Sequence, residues 1–141
     1  FINKEYDLGL SVYCSVKIQL QKFKIYNFHL GSLEYQRGSF IFFYKFLKNW
    51  DRITLTFHEI TKRYDVGKIF NEKEILLKKN CHATDILFVY LKNFEFLNES
   101  LKKLETPNIK EYKNFEKLNL VPNFINLIFN SIRFFIKKIF T

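Results

Sequence analysis

Cysteine and histidine are the side chains of this sequence that could hold a metal ion. Cys81 and His82 are adjacent, and another histidine, His58, lies far from them along the chain. Zinc sites draw their ligands from two spaced pairs, and these residues offer only one unspaced pair. We therefore predict no metal site, and we interpret Cys14 and Cys81 as reduced thiols.

Sequence motifs for catalysis are likewise missing. The chain has no nucleophile elbow, Walker loop, GxGxxG turn or HExxH helix. Carboxylates in the middle of the chain are interspersed with lysines, as on a solvated helix surface. They are Glu59, Asp65, Glu72 and Glu74. These observations predict a protein that is not an enzyme and that has no cofactor and no small-molecule substrate.

Basic and aromatic side chains interleave over residues 35–52. The basic residues are Arg37, Lys45, Lys48 and Arg52, and the aromatic residues include Tyr35, Tyr44 and Trp50. This mixture suits phosphate neutralisation combined with stacking on bases or sugars. The alternative is a basic solvated face whose aromatic residues belong to the core.

His29 precedes Gly31 and Ser32 in a segment typical of a turn. This turn could face RNA, or the glycine could simply adopt a positive φ there. Together with the interleaved segment, it gives six residues that are predicted to contact RNA. They are His29, Arg37, Lys45, Lys48, Trp50 and Arg52.

Charge and composition indicate a polyanionic partner. The chain of 141 residues carries 23 Lys and Arg against 14 Asp and Glu, a formal charge of +9. Such a surplus favours nucleic acid over an anionic membrane, and the length allows one domain. The chain also contains 18 Phe and 8 Tyr but no Met. This bias is typical of an A+T-rich genome, such as that of an organelle.

Hydrophobic periodicity predicts an α/β fold. Residues 53–57 alternate as in a half-buried strand, and residues 86–91 form an apolar run as in a strand covered on both faces. Residues 69–77 have helical spacing, and residues 94–104 predict a second helix, stopped by the proline that follows. Residues 15–28 fit a strand or an amphipathic helix. The order strand, helix, strand, helix predicts a parallel sheet with a right-handed crossover.

The last segment, residues 123–140, predicts an amphipathic helix. Its polar side chains fall on one helical face and are Asn126, Asn130, Arg133 and Lys137. They interrupt a stretch that would need about 20 mainly apolar residues to cross a membrane. We therefore predict a helix that packs on the sheet or on a neighbouring protein, without membrane insertion.

Several short motifs, taken in order, resemble those of the S-two family of small-subunit ribosomal proteins. The motifs are His29-Leu30-Gly31, Tyr44-Lys45-Phe46, the strand 53–57 with Thr61 after it, Ile86-Leu87-Phe88-Val89, Val121-Pro122 and Ser131-Ile132-Arg133. The family's Trp-Leu-Gly-Gly segment and coiled-coil hairpin are missing between Val89 and Pro122, and residues 123–126 replace its Gly-Asn-Asp-Asp turn. The resemblance is therefore to a shortened, divergent form.

The resemblance implies a shortened, partial Rossmann-like (flavodoxin-like) parallel sheet with flanking helices, in a single domain over residues 1–141. Residues 1–28 form an N-terminal extension of this domain, 29–104 a βαβα core, 105–122 a connector and 123–141 a C-terminal helix. The implied function is a structural one in the small subunit of a mitochondrial ribosome, in the mitochondrial matrix. The implied partners during translation are rRNA and neighbouring ribosomal proteins.

Two other functions fit the same composition. One is an accessory subunit of a mitochondrial respiratory-chain complex, favoured by the 19% aromatic content and the amphipathic C-terminal segment. The other is a nucleic-acid-binding module that acts outside the ribosome.

Overall fold

The computed structural model describes residues 8–12, 18, 23–78, 81, 83–105, 108–113 and 115. This part of the chain forms four strands and three helices, and none of these helices is long and apolar enough to cross a membrane. The elements are β1 (Leu8–Val12), β2 (Lys24–Leu30), α1 (Ile41–Lys48), β3 (Arg52–Glu59), β4 (Ile69–Leu76), α2 (Ala83–Lys92) and α3 (Phe94–Lys102). The predicted C-terminal helix over residues 123–140 lies outside the described residues.

The strands form one sheet in the order β1-β2-β3-β4. β1 pairs with β2 in parallel, whereas β2 and β3, and likewise β3 and β4, pair antiparallel. With its flanking helices, this sheet confirms the predicted α/β class and has a partial Rossmann-like arrangement. It is parallel only between β1 and β2, and the predicted crossover between parallel strands at residues 53–57 and 86–91 is not formed. Because β1 belongs to the sheet, residues before position 29 contribute to it. The division of the chain into extension, core, connector and C-terminal helix stays a prediction.

Residues 53–57 lie within β3 and residues 94–102 form α3, as predicted. The helix predicted over residues 69–77 is wrong, because residues 69–76 form strand β4. Their apolar residues pair with β3 instead of forming a helical stripe, and Ile75 lies directly opposite Ile53. Cross-strand contacts of this kind stabilise a strand whatever the helical spacing of its apolar residues.

The strand predicted over residues 86–91 is also wrong, because these residues belong to helix α2. Ile86 and Tyr90, four positions apart, are buried, while Phe88 between them is 57% exposed. One side of α2 is therefore buried, as in an amphipathic helix, but its exposed side also carries apolar residues. A continuous apolar run does not by itself distinguish a buried strand from a helix.

Alternation along β2 and β3 gives the sheet one apolar and one polar face. The apolar face carries the buried side chains of Tyr26, Phe28, Leu30, Ile53, Leu55 and Phe57. α2 and α3 contribute to the same core cluster through Ile86, Tyr90, Phe96 and Leu97. Each large apolar side chain contributes about 1.5–3 kcal/mol when fully buried. This face therefore anchors the helices, and the polar face is left to loops and polar side chains.

Candidate active site

The polar face of the sheet brings Asn27 of β2 and His58 of β3 together. The two residues are directly opposite in the antiparallel register, and Nδ2 of Asn27 lies 3.3 Å from Nε2 of His58. Two residues further along β2, His29 lies on the same face, opposite Thr56. The period of two along a strand thus places one amide and two imidazoles on one side of the sheet.

His58 is held in its neutral form. Its side chain is almost completely buried, and burial, together with the charge of His29, lowers its pKa to about 4. Nδ1–H donates to the carbonyl oxygen of Glu59 at 3.0 Å, so Nε2 is free to accept a hydrogen bond. Nε2 therefore accepts from the amide of Asn27, which fixes that amide with its nitrogen, not its oxygen, toward β3.

Asp65 reaches the same face from the loop after β3. Its φ of 48° is left-handed, a conformation that Asp adopts more readily than most residues. Oδ2 accepts the backbone N–H of Gly38 at 2.7 Å, and Oδ1 lies 4.0 Å from Nδ1 of His29 and 3.7 Å from Nε2 of His58. Burial alone raises the pKa of Asp65, but the two histidines and the Gly38 N–H outweigh it, so the pKa is lowered. Asp65 is therefore an anion at neutral pH.

Both ring nitrogens of His29 face acceptor groups. Nε2 lies 3.2 Å from the carbonyl oxygen of Gln36, and because a carbonyl oxygen can only accept, Nε2 carries a proton. Nδ1 faces Oδ1 of Asp65 at 4.0 Å. A proton taken up at Nδ1 gives an imidazolium that the Asp65 carboxylate stabilises. Asp65 therefore lies beside the ring nitrogen that would hold the proton.

A cavity of about 220 Å³ adjoins Asn27 and His29. Its wall consists of residues 27–30 of β2, residues 38–42 at the start of α1, and Tyr90 of α2. β1 ends in register with Phe28, so the cavity lies at the carboxyl ends of the two parallel strands. In open α/β sheets, ligands bind at such a place. Asn27 and His29 contribute polar groups to a wall that is otherwise mostly apolar.

This arrangement suits the transfer of a group through its carbonyl carbon. An amide N–H in a cavity wall can stabilise negative charge that develops on a carbonyl oxygen. A histidine beside a carboxylate can remove a proton from an attacking amine. Asn27 has the amide hydrogen that the first function needs, and His29 beside Asp65 has the groups that the second needs.

The six residues predicted to contact RNA have different environments. His29 lines the cavity, while Arg37 and Lys45 are buried, and Nη2 of Arg37 donates to the carbonyl oxygen of Tyr64 at 2.8 Å. The other three lie nearer the surface: Nζ of Lys48 lies 5.4 Å from the centroid of the Trp50 ring, and Arg52 pairs with Asp51 and Glu74. Contact of the six with RNA stays a prediction.

Asn27, His58 and Asp65 were not predicted as parts of a common site. Asp65, expected on a solvated helix surface, is mostly buried in a loop against two histidines. A usable signal was the alternation itself, since polar residues at every second position of an apolar strand share one face. Within the described residues, no group of three or more His, Cys, Asp or Glu side chains could hold a metal ion. Cys14 and His82 lie outside those residues.

Neither a family model nor a curated protein matches the sequence. Among solved structures, a Mycobacterium tuberculosis protein described as a "likely sugar N-formyltransferase" is 20% identical, with a TM-score of 0.72 over 92% of this chain and 63% of its own. HypX from Aquifex aeolicus, in complex with tetrahydrofolic acid, is 20% identical, with a TM-score of 0.65 over 83% of this chain and 21% of its own.

A third similar structure is WlaRD, a sugar 3N-formyltransferase solved in the presence of dTDP and 5-N-formyl-THF. It is 22% identical, with a TM-score of 0.64 over 81% of this chain and 43% of its own. The chain thus spans less than two thirds of the length of each of these three proteins. At these identities the similarity establishes a shared fold.

These structural similarities overturn the predicted membership of the S-two ribosomal family. The motifs that carried the resemblance are short. His29-Leu30-Gly31 lies where β2 ends beside the cavity, and this position explains the motif without a ribosomal role. The predicted ribosomal function, with rRNA and ribosomal proteins as partners in translation, is therefore wrong, and nothing supports the respiratory-chain alternative.

The predictions of no enzymatic activity and no small-molecule substrate are wrong on the same finding. The similar folds include those of sugar N-formyltransferases, which are enzymes. One similar structure is a complex with tetrahydrofolic acid, and another was solved in the presence of 5-N-formyl-THF. The mitochondrial location stays a prediction.

Proposed function

We propose that this chain takes part in the transfer of a formyl group from a reduced folate to the amino group of a small molecule. The observation that carries the proposal is that Asn27 and His29 line one cavity while Asp65 lies beside His29, in a fold shared with sugar N-formyltransferases. The folate compounds and dTDP present in the similar structures suggest the donor and a nucleotide-linked amino sugar as the acceptor.

The proposed reaction starts when the amine nitrogen attacks the formyl carbon and the C=O electron pair moves onto the oxygen. Asn27 donates one amide hydrogen to His58, and its second amide hydrogen stabilises the resulting oxyanion. His58 contributes by holding the amide in the orientation that presents nitrogen. Loss of one oxyanion donor typically lowers kcat by about 10²–10³-fold.

The attacking amine must lose a proton as the new C–N bond forms. Nδ1 of His29 accepts this proton, and the carboxylate of Asp65, 4.0 Å away, stabilises the imidazolium. When the carbonyl re-forms, the bond between the formyl carbon and the folate nitrogen breaks. The imidazolium then returns the proton to that nitrogen. One formyl group has passed to the amine and one proton to the folate, so the reaction balances.

The size of the cavity limits what it encloses. Its volume of about 220 Å³ is smaller than the roughly 300–1,000 Å³ of most small-molecule sites. It therefore encloses the formyl group and the attacking amine, while the rest of both substrates lies outside it.

The test is an assay of the full chain with a formyl-tetrahydrofolate and a panel of nucleotide-linked amino sugars. Mass spectrometry detects the added formyl group, and calorimetry measures binding of the folate. Asp65→Asn is the inactivating variant, and Asp51→Asn, which changes an exposed carboxylate, is its matched control. WlaRD serves as the positive control. No folate binding and no formylated product with any acceptor, under conditions in which that control is active, contradicts the proposal.

A further inference from the structure

We infer that Gln36 is a positioning residue for His29, because it determines which nitrogen of that histidine can accept a proton. The catalytic consequence of this inference rests on the proposed function. Gln36 lies in the loop between β2 and α1, and its side chain is completely buried, with 0% exposure. A primary amide buried to this extent needs partners for its oxygen and its nitrogen.

The side chain of Gln36 continues the sheet where β2 ends. Oε1 accepts the backbone N–H groups of Ser32 at 3.1 Å and Thr54 at 3.0 Å, and Nε2 donates to the carbonyl oxygen of Arg52 at 3.0 Å. The last registered pair of β2 and β3 is Leu30 with Leu55, so Thr54 and Arg52 lie just beyond it. The amide of Gln36 thus makes the hydrogen bonds to β3 that the next residues of β2 would make if that strand continued. Three such bonds in a buried place fix its orientation.

The main chain of Gln36 is fixed at the same time. Its N–H donates to the carbonyl oxygen of Ser32 at 2.8 Å, which closes the turn, and its own carbonyl oxygen lies 3.2 Å from Nε2 of His29. Gly31, with a φ of 146°, permits this approach, because a Cβ there would overlap the Gln36 carbonyl oxygen. The same Cβ would lie 2.9 Å from Nε2 of His29. The side chain of Gln36, the turn and Gly31 together hold the carbonyl oxygen of Gln36 against Nε2 of His29.

This contact determines the tautomer of His29. With Nε2–H donated to Gln36, the neutral ring keeps its lone pair on Nδ1, the nitrogen that faces Asp65. Without that acceptor, the neutral ring can place its proton on Nδ1 and donate it to Asp65. In that tautomer Nδ1 cannot take a proton from an amine. Gln36 therefore acts through His29 and touches no substrate.

The first test uses the unmodified full chain. Nitrogen-15 NMR of histidine-labelled protein reports which nitrogen of each ring carries the proton, and the spectrum of His29→Gln assigns the His29 signals. The expected result for neutral His29 is the tautomer with hydrogen on Nε2. Observation of the Nδ1–H tautomer overturns the inference, whether or not the chain transfers formyl groups.

The second test compares Gln36→Met with Tyr35→Phe. Methionine keeps the length of the side chain but removes the amide, whereas the change at the half-buried Tyr35 removes a hydroxyl that donates to Glu74 at 3.2 Å and leaves the Gln36 amide in place. For Gln36→Met we expect a mixture of His29 tautomers, a displaced pH profile and a fall in kcat of about 10²-fold with KM nearly unchanged. Tyr35→Phe should match the wild type in all of these readouts.

If Gln36→Met does not fold, Gln36→Glu replaces it, since glutamate keeps an acceptor for Ser32 and Thr54 but places a second oxygen against the carbonyl oxygen of Arg52. A folded variant with an unchanged tautomer and an unchanged kcat overturns the inference. An altered tautomer, combined with no formyl transfer by the wild type, refutes the proposed function but leaves the role of Gln36 in place.

Discussion

The amide nitrogen of Asn27 lies 3.3 Å from Nε2 of His58, across the antiparallel pairing of β2 and β3. This hydrogen bond exists only while His58 is neutral at Nε2, because a protonated Nε2 cannot accept. Burial keeps the ring neutral by lowering its pKa to about 4. The orientation of Asn27 and the protonation state of His58 are therefore linked, which connects the fold's response to acid with the candidate site.

Acid destabilises the fold through His58. Its pKa falls from an ordinary value of 6.5 to about 4 in the folded protein, so between these values the unfolded chain binds more protons. The contribution of the neutral ring is complete above about pH 6.5 and is lost as the pH falls toward 4. The loss is at most about 3 kcal/mol, at about 1.4 kcal/mol for each pKa unit. Denaturant unfolding at stepped pH measures it.

His58→Gln is the matched control for this pH dependence, since glutamine keeps an amide opposite Asn27 and does not titrate. The variant should show a flatter profile between pH 6.5 and 4. In more acid solution the free energy of unfolding should fall further because of Asp65. The pKa of Asp65 is lowered in the folded protein, so its contribution to stability is present above the ordinary pKa of 3.8 and is lost as the pH falls below it. If the stability of the wild type and that of His58→Gln changed equally with pH above pH 4, His58 would be excluded as the source of the pH dependence.

Asn27→Ala should lower kcat of formyl transfer by about 10²–10³-fold with little change in KM, because it removes the donor assigned to the oxyanion. The side chain is only partly buried, so the variant should fold. Asn98→Ala, at an exposed position on α3, is the control and should keep full activity. Steady-state kinetics at several folate concentrations separates the two constants, and a rise in KM alone would assign Asn27 to binding instead.

Alternation was enough to predict β3 and one buried face of the sheet. It could not predict the site, because the pairing of Asn27 with His58 depends on the register of two strands far apart in sequence. Asp65 was harder still, since its neighbours along the chain include the exposed and basic Lys62 and Arg63. Its burial comes from the path of the loop over the sheet, which local sequence does not encode.

A helix was predicted where β4 lies and a strand where α2 lies, and these two errors have a related cause. Ile86 and Tyr90 point into the core, but Phe88 and Leu91 are exposed, so the apolar run shows no polar outer face. The pattern therefore lacks the contrast on which periodicity depends. In β4 the pairing with β3 outweighs the local spacing of apolar residues, because it supplies both hydrogen bonds and cross-strand contacts.

Asp65→Asn should reduce kcat by about 10²–10⁴-fold, the range for loss of acid–base assistance, without unfolding the protein. Asparagine adopts the left-handed conformation that position 65 requires, and its amide oxygen can still accept from Gly38. What it removes is the negative charge beside His29. Activity is measured against Asp51→Asn, and full activity in Asp65→Asn would exclude the carboxylate from proton transfer.

Tyr90→Phe should lower the free energy of unfolding by about 1–3 kcal/mol, because it leaves a buried acceptor without its donor. The Tyr90 hydroxyl donates to the carbonyl oxygen of Phe28 at 2.6 Å, and the two rings stack with centroids 4.5 Å apart. Phenylalanine keeps the stacking and removes the hydrogen bond. Tyr64→Phe, on an exposed ring, should change stability by less than about 0.5 kcal/mol. Denaturant unfolding compares them, and equal stabilities would refute the assignment.

Gly67→Ala should displace Asp65 and thereby lower both stability and activity. A Cβ at position 67 would overlap the carbonyl oxygen of Glu59, a main-chain atom at the end of β3 that cannot move without disturbing the strand. The loop must shift instead, and Asp65 lies two residues away on that loop. Overpacking of this kind typically lowers stability by about 1–3 kcal/mol, and misplacement of a reacting group by about 1 Å lowers kcat by about 10²-fold.

Gly9→Ala is the control for this change, because a Cβ there meets only side-chain atoms of Phe23 and Ile25, at 3.0 and 3.2 Å. Those side chains can adjust, and β1 carries none of the candidate catalytic groups. The control should therefore keep its kcat even if its unfolding midpoint falls slightly. Kinetics and thermal unfolding of both variants discriminate between the two outcomes. If Gly67→Ala kept the wild-type kcat, the position of the Asp65 carboxylate would not limit the reaction, and His29 would have to act without it.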